Sequence, residues 1–342
     1  MSDGPAHSIA VVIPAHDAER LIADALDSVW IQTRRPDECL VVDDGSSDRT
    51  ASVVAAWASE HDLPVRILEQ ANLGAAAARS AGVEAARTDL VSLLDADDVL
   101  LPEALDILER GFQAWPDLAV CFGNAERWTL DGVSGSDYLA GKPVWRLPYE
   151  SAAGRAGEDD DPELRRIVDG VFESLLGGSY IANCAALVRR EAALEAGLWS
   201  DAFPTVEDRD FWLRLSRVGA FAYTPRPVAQ VRYHERNLTT ARGDADHALD
   251  GVRVLEKMVR LAPDLDLAEG ERRAARTALS HAVEGALYAG AREGLPTYLR
   301  TVRELSGCGE PVRWTRPGLL ARALVGGLIG SRRPPRARTR SP

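Results

Sequence analysis

Apolar positions in the first third of the chain fall into two alternating patterns. Short runs at residues 9–13, 39–42, 65–68, 90–94 and 119–122 are rich in Val, Ile and Leu, as in strands buried on both faces. Between them, apolar residues recur at helical spacing. Leu21, Ile22, Ala25, Leu26, Val29 and Trp30 mark one face of the first such segment, and Val53, Val54 and Trp57 belong to the second. An Ala-rich segment follows Asn72 and Gly74 and runs through Ala86. Leu105, Leu108 and Phe112 follow Pro102, a residue suited to a first helical turn. Strand and helix in alternation predict parallel βαβ units, and hence a doubly wound, mostly parallel α/β sheet with helices on both faces.

The pattern changes after residue 122. Residues 123–170 hold many glycines and the acidic run Glu158, Asp159, Asp160 and Asp161, and are expected to form a long, partly mobile insertion. An apolar run resumes near Tyr180 and ends at Val188, and a helix with Phe211, Trp212 and Leu215 follows Asp208. Residues 244–291 read as helical. The expected division is therefore a catalytic unit at 1–240, a helical subdomain at 241–330 and a disordered tail at 331–342. That tail carries five arginines and three prolines.

A net charge of −12 argues against a nucleic-acid partner, whose binders usually carry a basic face. It also predicts that an anionic substrate needs a cation to sit beside it. Cys39, Cys121, Cys184 and Cys308 show no metal-ligand spacing, so a reducing, cytoplasmic setting without disulfides is expected. Residues 1–8 lack the features of a signal peptide, and the apolar stretch at 319–329 is shorter than a membrane span. That stretch precedes the arginines directly, which suits either peripheral docking on an anionic inner membrane face or a packed helix with a solvated tail.

In a doubly wound sheet, ligands gather at the carboxyl ends of the strands. Three of those ends are polar here: Pro14-Ala15-His16-Asp17, Asp43-Asp44-Gly45-Ser46 and Asp95-Ala96-Asp97-Asp98. In the last, one carboxylate can reach a divalent cation and the other a ribose hydroxyl, since Mg²⁺ and Mn²⁺ prefer carboxylate and phosphate oxygens. A solvated acidic turn is the plainer reading. Asp44 could accept the imide N–H of a base, or the loop could simply cap the next helix. Glu207-Asp208 could supply a general base for a hydroxyl, or merely complement a helix dipole. His234 could complete a metal shell, and Arg79 could face a diphosphate or base. Each also reads as an ordinary surface or satisfied side chain. Trp128, Tyr138, Trp145 and Tyr149 could stack on an acceptor sugar or pin the insertion to the core.

Taken together, the segments VVIPAHDAERLIADALDSVWIQ, LVVDDGSSDRT, ANLGAAAARSAGVEAARTDLVSLLDADDVLLPEAL, VEDRDFWLRL and VRYHERNLT resemble the family 2 glycosyltransferases, in order and spacing, over most of residues 8–240. The resemblance implies a GT-A fold and an inverting transfer of sugar from a nucleotide-diphosphate donor to an acceptor hydroxyl. It implies that Pro14, Ala15, Asp17 and Asp44 hold the base with Arg79 beside them. Asp95 would contact ribose, Asp97 and His234 the Mn²⁺ or Mg²⁺, and Asp208 would be the catalytic base. The family often has Tyr-Asn where this chain has His16-Asp17. Two other classes compete: an inactive nucleotide-sugar-binding module, and a sugar-phosphate nucleotidyltransferase. The latter would need a Gly-rich, basic loop after the first strand.

Overall fold

The computed structural model describes residues 7–129, 132–135, 137–152, 163–233, 243–306 and 317–329. The chain divides into two compact units, Met1–Glu235 and Arg236–Pro342.

The first unit begins with β1 (Ile9–Ala15), α1 (Ile22–Trp30), β2 (Glu38–Asp44), α2 (Thr50–Glu60), β3 (Val65–Gln70), α3 (Ala75–Ala85) and β4 (Leu90–Leu93). These strands pair in parallel in the order β3-β2-β1-β4. Side chains alternate across a strand, which explains the two layers. Ile9, Val11 and Ile13 pack with Leu26 and Val29 of α1 and Val54 of α2. Val12 and Val42 face the other way, against α3. There Gly82 lets the helix approach closely, since a Cβ added to it would lie 2.2 Å from Val12 Cγ1.

Next come β5 (Val99–Leu100), α4 (Ala104–Ala114), β6 (Leu118–Thr129), β7 (Gly132–Gly135), β8 (Tyr149–Ser151), β9 (Arg165–Ile167), α5 (Val171–Leu175), β10 (Ala186–Arg189), α6 (Arg190–Glu195), α7 (Glu207–Leu215) and β11 (Ala220–Arg232). On this side the sheet becomes mixed. β10 runs antiparallel between β4 and β6, whereas β11 runs parallel to β6. A βαβ crossover fixes a parallel direction; β10 instead follows a long excursion and enters from the 3-10 turn Asn183–Ala185. The expected insertion is partly sheet. It contains the outer half of β6, then β7, the 3-10 turn Pro143–Arg146, β8 and β9. Its acidic run at 158–161 lies outside the described residues.

The second unit contains α8 (Asp244–Leu261), α9 (Glu269–Glu293), α10 (Leu295–Leu305) and α11 (Pro317–Ile329). Leu279, Val283, Ala286 and Leu287 give α9 a buried face. Among the described residues, no helix is long and apolar enough to cross a membrane. The arginine-rich tail and Cys308 lie outside them.

Gly82→Ala is expected to force apart the α3–sheet contact and cost roughly 1–3 kcal/mol, the range for overpacking a core. Urea denaturation of the two proteins measures the difference.

Candidate functional site

Three loops meet above β1 and β2. Asp17 takes a left-handed backbone with φ of 47°, which Asp tolerates better than most residues. Its Oδ1 accepts the Ser47 amide at 2.7 Å, and its own amide donates to Ser46 Oγ at 3.1 Å. The Ser47 amide holds its carboxyl below the ordinary aspartate range. His16 Nδ1 lies 2.9 Å from the Asp44 carbonyl, and Nε2 lies 3.2 Å from Asn72 Nδ2. A neutral ring protonated on Nδ1 satisfies both contacts. The His16-Asp17 pair thus ties the β1–α1 loop to the two loops beside it.

Asp44 is buried and anchors the β3–α3 loop. Its Oδ1 accepts from Gln70 Nε2 at 2.7 Å and the Leu73 amide at 2.8 Å, and its Oδ2 accepts the Gly74 amide at 2.8 Å. That uses three of roughly four lone-pair sites. Gly45, with φ of 68°, makes the accompanying turn; a Cβ there would lie 2.8 Å from the Asn72 amide nitrogen.

Arg79 of α3 joins two distant parts of the sequence. Its Nη2 donates to Asp95 Oδ1 at 2.6 Å and its Nη1 to Glu207 Oε1 at 2.8 Å. Its side chain is 6% exposed, against 30% for Asp95 and 14% for Glu207. Burial alone would favour loss of the proton, but the two carboxylates outweigh it and keep the guanidinium charged. Burial pushes Glu207 up to about 7; the Arg79 charge opposes this and the Asp208 charge adds to it. Burial also raises Asp208, against the Ser179 hydroxyl, the Arg209 amide at 2.7 Å and the charges of Arg79 and Arg209.

The Asp95 loop turns through the Asp98 amide, which donates to the Asp95 carbonyl at 3.0 Å. Asp98 is buried and accepts the Arg232 amide at 2.8 Å. Burial, then the charges of Asp97 and Asp95, raise it well above the ordinary range. This crowd of carboxylates suits a divalent cation, because Mg²⁺-type sites use one or two carboxylates plus substrate phosphates. Asp97 lies in this loop, close enough for its charge to raise Asp98. Among the described residues, no three His, Cys, Asp or Glu side chains form a protein-only cage. His234 lies outside the described residues.

The insertion comes within reach of the Asp208 charge. Buried Asn124 accepts the Leu139 amide at 3.0 Å and donates to Asp137 at 2.8 Å. This places Tyr138 where the Asp208 charge, after burial, raises its hydroxyl further. Trp145 Nε1 donates to the Leu139 carbonyl at 2.6 Å, and its ring meets Tyr223 edge-on. The Trp128 ring lies 4.3 Å from the Arg232 guanidinium. Trp128 and Trp145 therefore pin the insertion to β11.

Arg79 joins Asp95 to Glu207, whose neighbour is Asp208, and Asp97 lies in the Asp95 loop. The loop network holds Asp17 and Asp44, while Pro14 and Ala15 end β1 opposite Val42 and Asp43. Sequence reasoning placed Glu207 beside Asp208 but did not foresee its pairing with Arg79, and it did not single out Asn124. Glu207 had a signal: a buried Arg79 in an Ala-rich helix requires carboxylate partners. Asn124, inside a strand, had none.

Residues 10–134 match the family described as Glycosyl transferase family 2. The O-antigen biosynthesis protein RfbC of Myxococcus xanthus is 29% identical over 257 residues, covering 73% of this chain and 18% of RfbC. This chain therefore spans under a fifth of that relative. Among solved structures, residues 1–349 of S. aureus TarS in complex with UDP-GlcNAc superpose with a TM-score of 0.64 at 15% identity, covering 95% of this chain and 91% of that fragment. The mannosyltransferase PcManGT from Pyrobaculum calidifontis, in complex with GDP-Man and Mn²⁺, gives 0.54 at 20% identity, covering 97% and 91%. At these identities the two structures establish the fold.

Arg79→Met leaves Asp95 and Glu207 facing each other without their cation. A loss of about 3 kcal/mol is expected near pH 8, as for breaking a buried ion pair. The loss shrinks as pH falls below 7, where Glu207 takes up a proton. Arg79→Lys keeps the charge but not the fork, so it falls between. Denaturant unfolding at pH 8 and pH 6 checks both.

Proposed function

The chain carries a family 2 glycosyltransferase domain of GT-A fold, and from that premise we propose that it moves a sugar from a nucleotide-diphosphate donor to an acceptor hydroxyl with inversion. One observation carries this reading: the Arg79 fork holds the donor-side Asp95 against Glu207, beside Asp208. A carboxylate able to take a proton thus sits across from carboxylates able to hold a cation and a ribose.

In this proposal, Pro14, Ala15, Asp17 and Asp44 shape the nucleoside wall. Asp17 and Asp44 do so largely by fixing loops, since Ser47, Leu73 and Gly74 already occupy most of their oxygens. Asp95 meets the ribose. Asp97, with His234, would hold Mn²⁺ or Mg²⁺, which would neutralise charge on the departing diphosphate. Arg79 positions the carboxylates rather than binding the base. The acceptor oxygen attacks the anomeric carbon on the face opposite the diphosphate. As the C–O bond to the diphosphate breaks, the hydroxyl proton passes to Asp208, and no covalent enzyme intermediate forms. The catalytic domain spans residues 1–240, with 241–330 as a helical subdomain. The name of RfbC, and the nucleotide sugars bound to TarS and PcManGT, support a role in building a saccharide or glycoconjugate.

Asp208→Asn is expected to lower kcat/KM for transfer by about 10²- to 10⁴-fold, the range for a lost general base. Nucleotide affinity, measured calorimetrically with Mn²⁺, should stay within about threefold. Undiminished transfer would remove Asp208 from its role.

The working form of Asp208 is the carboxylate, and burial raises its pKa. Transfer should therefore fall on acidification at a pH above the ordinary aspartate value of about 3.9. A kcat/KM profile from pH 4 to 9 checks this. An acid limb at the ordinary value would contradict it.

A further inference from the structure

Among the described residues, Lys142 and Arg165 of the insertion, like Arg146, make no ion pair, in a chain whose formal charge is −12. Lys142 Nζ lies 5.5 Å from the centre of the Tyr138 ring and makes no ion pair among the described residues. The Arg165 guanidinium lies 4.7 Å from the Tyr149 ring and 5.6 Å from the Trp145 ring. It donates a hydrogen bond to the Tyr223 hydroxyl at 3.3 Å. Arg79, Arg166 and Arg226 of this unit are paired with carboxylates.

Successive contacts join these groups into one strip. Tyr138 lies within reach of the Asp208 charge. Lys142 packs against Tyr138, and the Trp145 amide donates to the Lys142 carbonyl at 3.4 Å. Arg165 then packs against Trp145 and Tyr149, which are 36% and 48% exposed. Exposed aromatic rings offer faces for sugar rings. A neutral glycan would gain little from two unpaired cations among those rings. An anionic one needs them, because the acidic protein repels it at long range and only nearby cations reverse the sign within a Debye length of about 8 Å.

We propose that this strip binds the acceptor, and that the acceptor is an anionic saccharide whose phosphate or carboxylate groups engage Lys142 and Arg165. The proposal rests on the transferase reading, since it places the strip on the acceptor side of Asp208.

The test uses the full chain with Mn²⁺ and UDP- or GDP-linked sugars. Wild-type donor turnover without acceptor tests the transferase reading separately. Transfer is then measured to two matched probe pairs: methyl glucuronide against methyl glucoside, and glycerol phosphate against glycerol. The first pair reports on carboxylate, the second on phosphate. At low salt, the charged member of at least one pair should be preferred about tenfold, the scale of one charge-assisted contact. The preference should shrink at high salt. It should fall to about twofold or less in the doubly substituted Lys142→Gln, Arg165→Gln protein, and each single variant should lose part of it. A ratio between acceptors does not move when a variant merely lowers all activity, so it separates recognition from pinning of the insertion. If no donor is turned over, calorimetric binding of the same pairs to wild type and variant decides. Equal use or equal binding of charged and neutral probes, or a preference that survives the double substitution, overturns the proposal.

Discussion

Everything at the proposed active site depends on one buried cation. Arg79 rises from α3 and reaches both a carboxylate at the end of β4 and one in the first turn of α7. These residues lie 16 and 128 positions away in the sequence. A carboxylate cluster of this density repels itself, and the Arg79 charge compensates from inside. The fork geometry matters as well as the charge, because two separate N–H groups are aimed at two separate carboxylates.

The compensation is incomplete, and chemistry follows from that. Burial still pushes Glu207 up to about 7 and raises Asp208, so it outweighs the opposing charges at both. Asp98 is raised further by its neighbours Asp97 and Asp95. A site left with this much unbalanced negative charge favours a divalent cation carrying an anionic diphosphate. A carboxylate of raised pKa also accepts a proton more readily than an exposed one. The same logic reaches the insertion, where Lys142 and Arg165 lie among aromatic rings.

The β3-β2-β1-β4 half of the fold was legible because each strand is a short apolar run, with β1, β2 and β4 buried on both faces, and each crossover is a simple helix. β10 was not, because its direction depends on a chain excursion whose path no local periodicity records. The strand-end loops were legible as polar, but not their internal bonding. The unusual His16-Asp17 pair looks like an extra charge in the sequence. In the fold, Ser47 occupies the Asp17 carboxylate and the Asp44 carbonyl and Asn72 occupy the His16 ring. Asp208 could be picked out by its place beside an apolar helix. Its link to Asp95 could not, since that link runs through Arg79 and the neighbouring Glu207.

The most direct test of the central claim is a crystal structure of the protein with Mn²⁺ and a non-hydrolysable nucleotide-diphosphate sugar. The account predicts the metal and diphosphate at Asp97, the ribose at Asp95, and the anomeric carbon turned toward Asp208, with Arg79 still paired to Asp95 and Glu207. A donor bound elsewhere, or an Arg79 released from both carboxylates to grip the nucleotide, would contradict it.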